Sequence, residues 1–147
     1  EDCTERERTH AYQVGQLLAQ AGATVLCGGG HGVMAAVAAG VRAHDGVVIA
    51  ILPGDSRADV SSEVSTAVVT NMGQARNAIL VWSADAVVAV GGSWGTLSEV
   101  ALAMRRGDVP VISLGGWSIH DAQGDPVGGI LTAATPQKAV ELALQAP

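Results

Sequence analysis

The stretch ADAVVAVGGSWGTLSEVALAMRRG, residues 84–107, predicts the unit around which the fold is built. Ala86 to Val90 is a continuous apolar run, typical of a strand buried on both faces. A glycine-rich turn follows, and apolar residues then recur at the spacing of a helix's buried face: Leu97, Val100, Ala101 and Met104. The stretch therefore predicts a strand, a glycine turn and a helix. The free N–H groups of that helix lie at the carboxyl end of the strand, where an anion can bind.

The composition predicts one tightly packed α/β domain over residues 1–147. Apolar residues make up 48% of the chain, glycine reaches 19 residues and phenylalanine is absent. The formal net charge is −6 and no run of Lys or Arg exists, so we expect no nucleic-acid partner. No apolar stretch approaches the roughly 20 residues of a membrane span. No signal peptide is visible, and we expect a cytoplasmic protein with no membrane partner.

The two cysteines predict neither a disulfide framework nor a metal site. Cys3 and Cys27 are too few and too far apart for either. Cys27 lies in an apolar run, where a thiol behaves as a small core residue.

Strands alternate with helices along the chain. Strands are predicted at 23–27, 47–52, 66–70, 86–90, 110–114 and 130–133. The first helix opens on the capping-box pattern of Thr4 and Glu7, and the helix after the third strand is capped by Asn71 and turns Trp82 inward. Uniformly apolar strands indicate a parallel sheet covered on both faces, hence a three-layer, Rossmann-like α/β fold. We expect this sheet to bury Cys27, Ile49, Val69, Val88 and Ile112.

Three segments meet at the carboxyl edge of this predicted sheet: CGGGHG at 27–32, NMGQARN at 71–77 and VGGSWG at 90–95. Neither glycine turn has the spacing of a dinucleotide fingerprint or of a P-loop, and each can also be a plain tight turn between strand and helix. Arg76 is either a planar clamp for a phosphate or a surface arginine paired with a carboxylate. Glu99 either complements the helix dipole or acts as a catalytic group beside a bound ligand.

These segments resemble a known family. VGGSWGTLSE, residues 90–99, is similar to the PGGxGTxxE motif of the lonely-guy (LOG) phosphoribohydrolases, part of the lysine decarboxylase-like Rossmann superfamily. ARN at 75–77 resembles that family's Arg-Lys pair. Together with GGGHGVMAAVAAGV and GQARNAILV, the pattern resembles still more closely the molybdenum cofactor carrier proteins and their bacterial relatives, from about Tyr12 to the C-terminus.

The resemblance implies a ligand site with a defined set of residues. The ligand- and phosphate-binding residues would be Gly28, Gly29, Gly30, His31, Gly32, Arg76, Asn77, Gly91, Gly92, Ser93, Trp94, Gly95 and Thr96. In a hydrolase, Glu99 and Arg76 would be the catalytic residues. His31 is either a ligand contact or a merely solvated side chain.

The chain also departs from the family pattern. Gly91 replaces the family's proline, Ser93 a glycine, Ser98 the first glutamate of a Glu-Glu pair, and Asn77 the lysine after the arginine. The family begins with a strand that the sequence from Glu1 onward does not contain, so that either the sequence is truncated before Glu1 or this version of the fold is without the strand. Its loss would remove a central strand and part of the site. The phosphate-binding parts are intact, whereas the hydrolase signature is only partly kept.

Two functions follow, and a structural domain with a relict pocket is a third reading. The first is a carrier or sensor of a phosphorylated, nucleotide-like ligand, with the pterin of molybdenum cofactor as cargo. The second is hydrolysis of the N-glycosidic bond of a nucleoside 5′-monophosphate, which needs no cofactor; there Glu99 stabilises an oxocarbenium-like sugar or activates water. The helices at 34–41 and 97–104 are rich in Ala and Val with few charges, so we expect them to leave apolar surface for a partner subunit. The resemblance also implies a homodimer or higher homo-oligomer.

Overall fold

The computed structural model describes residues 2–145. Its helices are α1 Glu5–Gln20, α2 Val33–Arg42, α3 Asn77–Ser83, α4 Trp94–Arg106 and α5 Pro136–Leu144. Its strands are β1 Val25–Cys27, β2 Val48–Leu52, β3 Thr66–Val69, β4 Val87–Val90, β5 Val111–Leu114 and β6 Ile130–Ala133, and a 3₁₀ turn, Gly73–Arg76, precedes α3. The predicted alternation of strands and helices is confirmed, with boundaries shifted by one or two residues.

The strands form two parallel sheets, in the orders β1-β2-β3 and β4-β5-β6. Val25 lies opposite Val48 in the first sheet, and Val87 lies opposite Val111 in the second. The Rossmann-like α/β class is confirmed, but within residues 2–145 β1 and β4 pair with no strand on their inner edges. These two unpaired edges leave a gap between the sheets, and the resemblance implies a further strand at such a position in the family.

Helix α1 packs against both sheets. Its capping box is confirmed: the Thr4 N–H donates to Glu7 Oε2 at 2.7 Å, and the Glu7 N–H donates to Thr4 Oγ1 at 3.1 Å. Ala11 and Val14 are buried in a cluster with residues of β4 and β5. Leu18 packs against this cluster and also against the cluster around β1 and β2. The helix therefore holds the two halves of the molecule together across the gap.

Burial differs from the prediction at three of five strand positions. Cys27 and Ile112 are buried, at 8% and 0% exposure, whereas Ile49, Val69 and Val88 are only partly buried. Val69 lies in edge strand β3, and Val88 lies in β4 beside the gap, so each lacks a neighbouring strand on one side. Ile49 contributes to none of the hydrophobic clusters found in residues 2–145.

Three helical predictions were wrong in detail. Asn71 does not cap a helix: its φ is 51°, and a 3₁₀ turn begins two residues later. Trp82 does not face inward but is 63% exposed, with its ring 5.2 Å from the Arg106 guanidinium carbon. In α4 Ala101 is exposed and Ala103 is fully buried, because the buried face is rotated from the predicted stripe.

None of the helices in residues 2–145 has the length and apolar character needed to cross a membrane.

The crossing of α1 and α2 depends on two glycines. A Cβ added at Gly40 would overlap the Tyr12 carbonyl oxygen, and one added at Gly15 would overlap that of Val37. Both obstacles are backbone atoms, so the helices can accept a side chain there only by moving apart.

Gly40→Ala should therefore destabilise the fold, although alanine favours helix by up to about 1 kcal/mol. Separation of the helices should cost about 1–3 kcal/mol beyond that gain, measured by denaturant unfolding. Gly54→Ala is the control, because a Cβ at Gly54 meets nothing within 4 Å. Equal stability of the two variants would contradict the importance of the crossing.

Candidate ligand-binding site

Arg76 is a buried cation held at the carboxyl end of β2. It ends the 3₁₀ turn and is only 5% exposed. Its Nε donates to the Ile51 carbonyl oxygen at 3.0 Å, and its Nη1 donates to Gln74 Oε1 at 3.4 Å and to Asn77 Oδ1. The ion pairs within residues 2–145 do not include Arg76. The reading of Arg76 as a surface arginine paired with a carboxylate is therefore wrong.

Gly28, in the first glycine turn, has no side chain, and the Arg76 guanidinium occupies the space that a side chain there would take. A Cβ added at Gly28 would lie 2.5 Å from Arg76 Nη2 and 2.8 Å from Met34 Sδ. In the described part of the chain Nη2 donates no hydrogen bond, unlike Nε and Nη1. The end of β1 and Arg76 thus come together, and one edge of the guanidinium has unused donor capacity.

Asn77 links this guanidinium to α4. It is fully buried, and its Oδ1 accepts from Arg76 Nη1 while its Nδ2 donates to Ser98 Oγ at 3.3 Å. The resemblance implies that Asn77 is a ligand contact, and the geometry gives it a supporting position behind Arg76. A direct contact with a ligand stays a prediction.

The start of α4 carries several N–H groups with no acceptor. Ser93 caps the helix: its Oγ accepts from the Thr96 N–H at 3.1 Å and lies 2.9 Å from the Thr96 hydroxyl. The Thr96 N–H is therefore already used within the protein. The N–H groups of residues 92–95 have no acceptor elsewhere in residues 2–145. These four groups and the positive end of the helix dipole attract an anion.

Glu99 and Cys27 lie close enough to Arg76 to influence its charge. Burial lowers the pKa of Arg76 from its ordinary value, and the Glu99 carboxylate opposes this. Burial raises the pKa of Glu99, and the Arg76 cation opposes this. Burial also raises the pKa of the Cys27 thiol, opposed chiefly by the Gly29 N–H. Cys27 is buried as predicted, but its position beside a charged pair was missed, because an apolar run gives no sign of it.

The second glycine turn lies against α1. Gly91 has φ 75°, and a Cβ added there would lie 2.5 Å from Glu7 Oε1. The capping-box pattern predicts only a capping role for Glu7 and does not indicate this second contact. The space that a side chain at position 91 would take is therefore occupied by the Glu7 carboxylate, and a ligand contact by Gly91 stays a prediction.

The other residues of the first glycine turn are less closely associated with Arg76. A Cβ at Gly29 would overlap Leu52 Cδ2, and one at Gly30 would meet Met34 Cε at 2.5 Å. Gly32 is the N-cap of α2 with φ 65°, and His31 is exposed. The structure thus brings together Gly28, Arg76 and Asn77 with Ser98 and Glu99 of α4. Ligand contacts by residues 29–32 stay a prediction.

Two tryptophans lie beside the start of α4. Trp94, the first residue of the helix, is 72% exposed, and its ring centroid is 4.9 Å from that of Trp117, at a tilt of 44°. Trp117 Nε1 donates to the Ser93 carbonyl oxygen at 3.0 Å. The contribution of Trp117, in the loop after β5, was missed because its sequence neighbours carry no motif.

This fold and this combination of glycine turns, arginine and helix start define a Rossmann-like protein of the LOG-like superfamily. The chain belongs to the SLOG cluster4 family, whose family model matches residues 1–140. The resemblance drawn from the three motifs is confirmed.

Individual relatives cover most of the chain. An uncharacterized protein of Archaeoglobus fulgidus is 42% identical over 107 residues, 72% of this chain and 70% of that protein. The structure of a molybdenum cofactor binding protein from Rippkaea orientalis is 38% identical with a TM-score of 0.85, covering 97% of this chain and 88% of that one. The structure of the molybdenum cofactor carrier protein from Chlamydomonas reinhardtii is 31% identical with a TM-score of 0.82, and the match covers 99% of this chain and 90% of that one.

The raised pKa of Glu99 predicts a pH dependence of stability. A carboxyl whose pKa is higher in the folded than in the unfolded state binds a proton on folding between those two values. Its contribution to stability is therefore present at low pH and is lost as the pH rises from its ordinary value of 4.5 through the raised value. The melting temperature of wild type should fall relative to that of Glu99→Gln over this window. Parallel profiles of the two proteins would contradict the burial of Glu99 as the cause.

Proposed function

We propose that this protein is a molybdenum cofactor carrier-like binding protein. Its ligand is a phosphorylated, nucleotide-like molecule at the carboxyl edge of the split sheet, and the phosphate-bearing pterin of molybdenum cofactor is its cargo. The main support is Arg76, a buried cation whose partners are all neutral oxygens. Burying a cation is unfavourable unless an opposite charge compensates it. The nearby Glu99 carboxyl compensates Arg76 only in part, because burial raises the pKa of that carboxyl, and a bound phosphate would supply further negative charge. Similarity to proteins that bind or carry molybdenum cofactor supports the choice of cargo.

The phosphate would be held by Arg76 and by the N–H groups at the start of α4. Arg76 Nη2 is a donor without a protein acceptor in residues 2–145, and the N–H groups of residues 92–95 are equally free. The first glycine turn has no side chains to obstruct an approaching ligand, except at His31. In this proposal molybdenum enters as part of the cargo, and the chain supplies no direct ligand to it.

Glycosidic hydrolysis of a nucleoside 5′-monophosphate is the second candidate. It is favoured by Glu99, a carboxylate near enough to Arg76 for each to shift the other's pKa. The buried environment works against it: a raised pKa reduces the ionised fraction, and only the ionised carboxylate stabilises a positively charged sugar. Ser98 further replaces the neighbouring glutamate of the family motif with a hydroxyl that accepts from Asn77.

Substitution of Arg76 tests the phosphate contact. Arg76→Ala should weaken binding of a nucleoside 5′-monophosphate by about tenfold to 150-fold in calorimetry, because a hydrogen bond to a charged group contributes about 1.5–3 kcal/mol. Arg42→Ala is the matched control, since that exposed arginine at the end of α2 donates to the Gly46 carbonyl. Unchanged affinity in Arg76→Ala would refute the proposed phosphate contact.

Glu99→Gln separates the two candidate functions. In a carrier, affinity for the monophosphate should stay the same or rise, because a negative charge near the phosphate is removed. In a hydrolase, release of free base and ribose 5-phosphate should fall by about 10²-fold or more. Loss of ligand binding in Glu99→Gln would contradict the carrier, and base release at the wild-type rate would contradict a catalytic Glu99.

We also propose that the protein is a homodimer or higher oligomer acting in the cytoplasm, without a nucleic-acid or membrane partner. The net charge of −6 opposes binding to a phosphate backbone. A groove between α1 and α2 is lined on the α2 side by Gly32 and the alanines Ala35, Ala36 and Ala39, and on the α1 side by Glu5, Arg8, Thr9 and Tyr12, which is 37% exposed. The small side chains on the α2 side allow close approach of another subunit.

The oligomer can be tested by light scattering at micromolar concentration. Wild type should have at least twice the monomer mass of 14.8 kDa, and Ala39→Glu should reduce it by placing a charge in the groove. Ala58→Glu, at an exposed position in the loop between β2 and β3, is the matched control and should keep the wild-type mass. A wild-type monomer would contradict the assembly.

A further inference from the structure

Trp94 is a large aromatic side chain held exposed beside the proposed phosphate position. It is 72% exposed although it begins α4 and contacts a second tryptophan. An exposed indole leaves apolar area in water that a ligand can cover. Trp82 is comparably exposed, at 63%, but its ring lies against the Arg106 guanidinium, away from the start of α4.

The position of Trp94 is fixed by its neighbours. Its backbone follows Ser93, whose Oγ caps α4 and whose carbonyl oxygen accepts from Trp117 Nε1 at 3.0 Å. Trp117 in turn contacts the Trp94 ring, with centroids 4.9 Å apart. Ser93 thus both caps α4, where the free N–H groups lie, and accepts a hydrogen bond from Trp117. The indole of Trp94 is therefore held at a fixed position relative to the N–H groups of residues 92–95.

We infer that Trp94 is the stacking platform for the planar ring system of the ligand, and so a specificity-determining residue. This inference rests on the proposed function for the position of the phosphate. A ligand with a phosphate joined by a short linker to a flat heterocycle, such as a purine nucleotide or a phosphorylated pterin, can place its phosphate on residues 92–95 and its ring on the indole. Stacking accepts any flat π system, so Trp94 selects heterocyclic phosphates over sugar phosphates without reading one particular base.

Three probes separate the ring from the phosphate: guanosine 5′-monophosphate, guanosine and ribose 5-phosphate. Trp94→Ala should weaken binding of guanosine 5′-monophosphate by about fivefold or more, the lower end of what loss of one aromatic stacking partner costs, and should leave ribose 5-phosphate unchanged. Trp94→Phe keeps an aromatic ring and should retain most of the affinity. Trp82→Ala is the matched control and should change none of the three. Binding is measured by calorimetry.

The outcomes distinguish this inference from the proposed function. Unchanged affinity of Trp94→Ala for guanosine 5′-monophosphate would overturn the platform and leave the phosphate contact standing. If Arg76→Ala binds ribose 5-phosphate as wild type does while Trp94→Ala selectively loses the nucleotide, the phosphate contact fails and the platform stands. Failure of wild type to bind any of the three probes would overturn both. A smaller mass of Trp94→Ala in light scattering would assign the indole to a subunit contact and overturn the platform.

Discussion

The buried guanidinium of Arg76 is the interaction on which the site depends. A cation at 5% exposure is stable only if its hydrogen-bonding groups find acceptors, and here the backbone of β2 and the Gln74 and Asn77 side chains supply them. These acceptors are neutral, so they satisfy donors without cancelling the charge. The absence of a side chain at Gly28 is part of the same arrangement, because any Cβ there would displace Nη2.

The same set of contacts connects the two halves of the split sheet. Arg76 is bonded to β2 of the first sheet, and Asn77 bonds to Ser98 of α4, a helix that packs on β4 and β5 of the second sheet. On the other side of the gap α1 contributes to the hydrophobic clusters of both halves, and Glu7 lies against Gly91 at the end of β4. These polar contacts therefore also join the two sheets, and we expect changes in Asn77 or Ser98 to affect the relation between the sheets as well as the position of Arg76.

The fold was predictable because its signals are local. The capping box of α1, the apolar strands and the two glycine turns each follow from neighbouring residues, and the order of elements gave the α/β class. The predictions that were wrong depend on contacts between residues far apart in the sequence. Val88 is only partly buried because β4 faces a gap, and Trp82 faces outward to contact Arg106, which is 24 positions further along. In the site, Arg76 and Glu99 were found from motifs, whereas Glu7, Cys27 and Trp117 were missed because only the folded chain brings them to the site.

The environment of Glu99 bears on whether this cradle holds a ligand or cleaves it. A carboxylate that stabilises a developing sugar cation must be ionised at the moment of reaction, and burial favours its neutral form instead. A neutral carboxyl beside a phosphate avoids repelling it and can donate a hydrogen bond to it, which suits binding. A bound phosphate would favour that neutral form further, because its negative charge disfavours a second one nearby. The Arg76 cation lowers the pKa of Glu99 instead, and a bound phosphate paired with Arg76 would weaken this effect. Burial and a bound phosphate would thus both favour the neutral carboxyl of Glu99, whereas Arg76 opposes them, and because burial is the larger of the two effects in the free protein the environment of Glu99 supports the proposed carrier over cleavage.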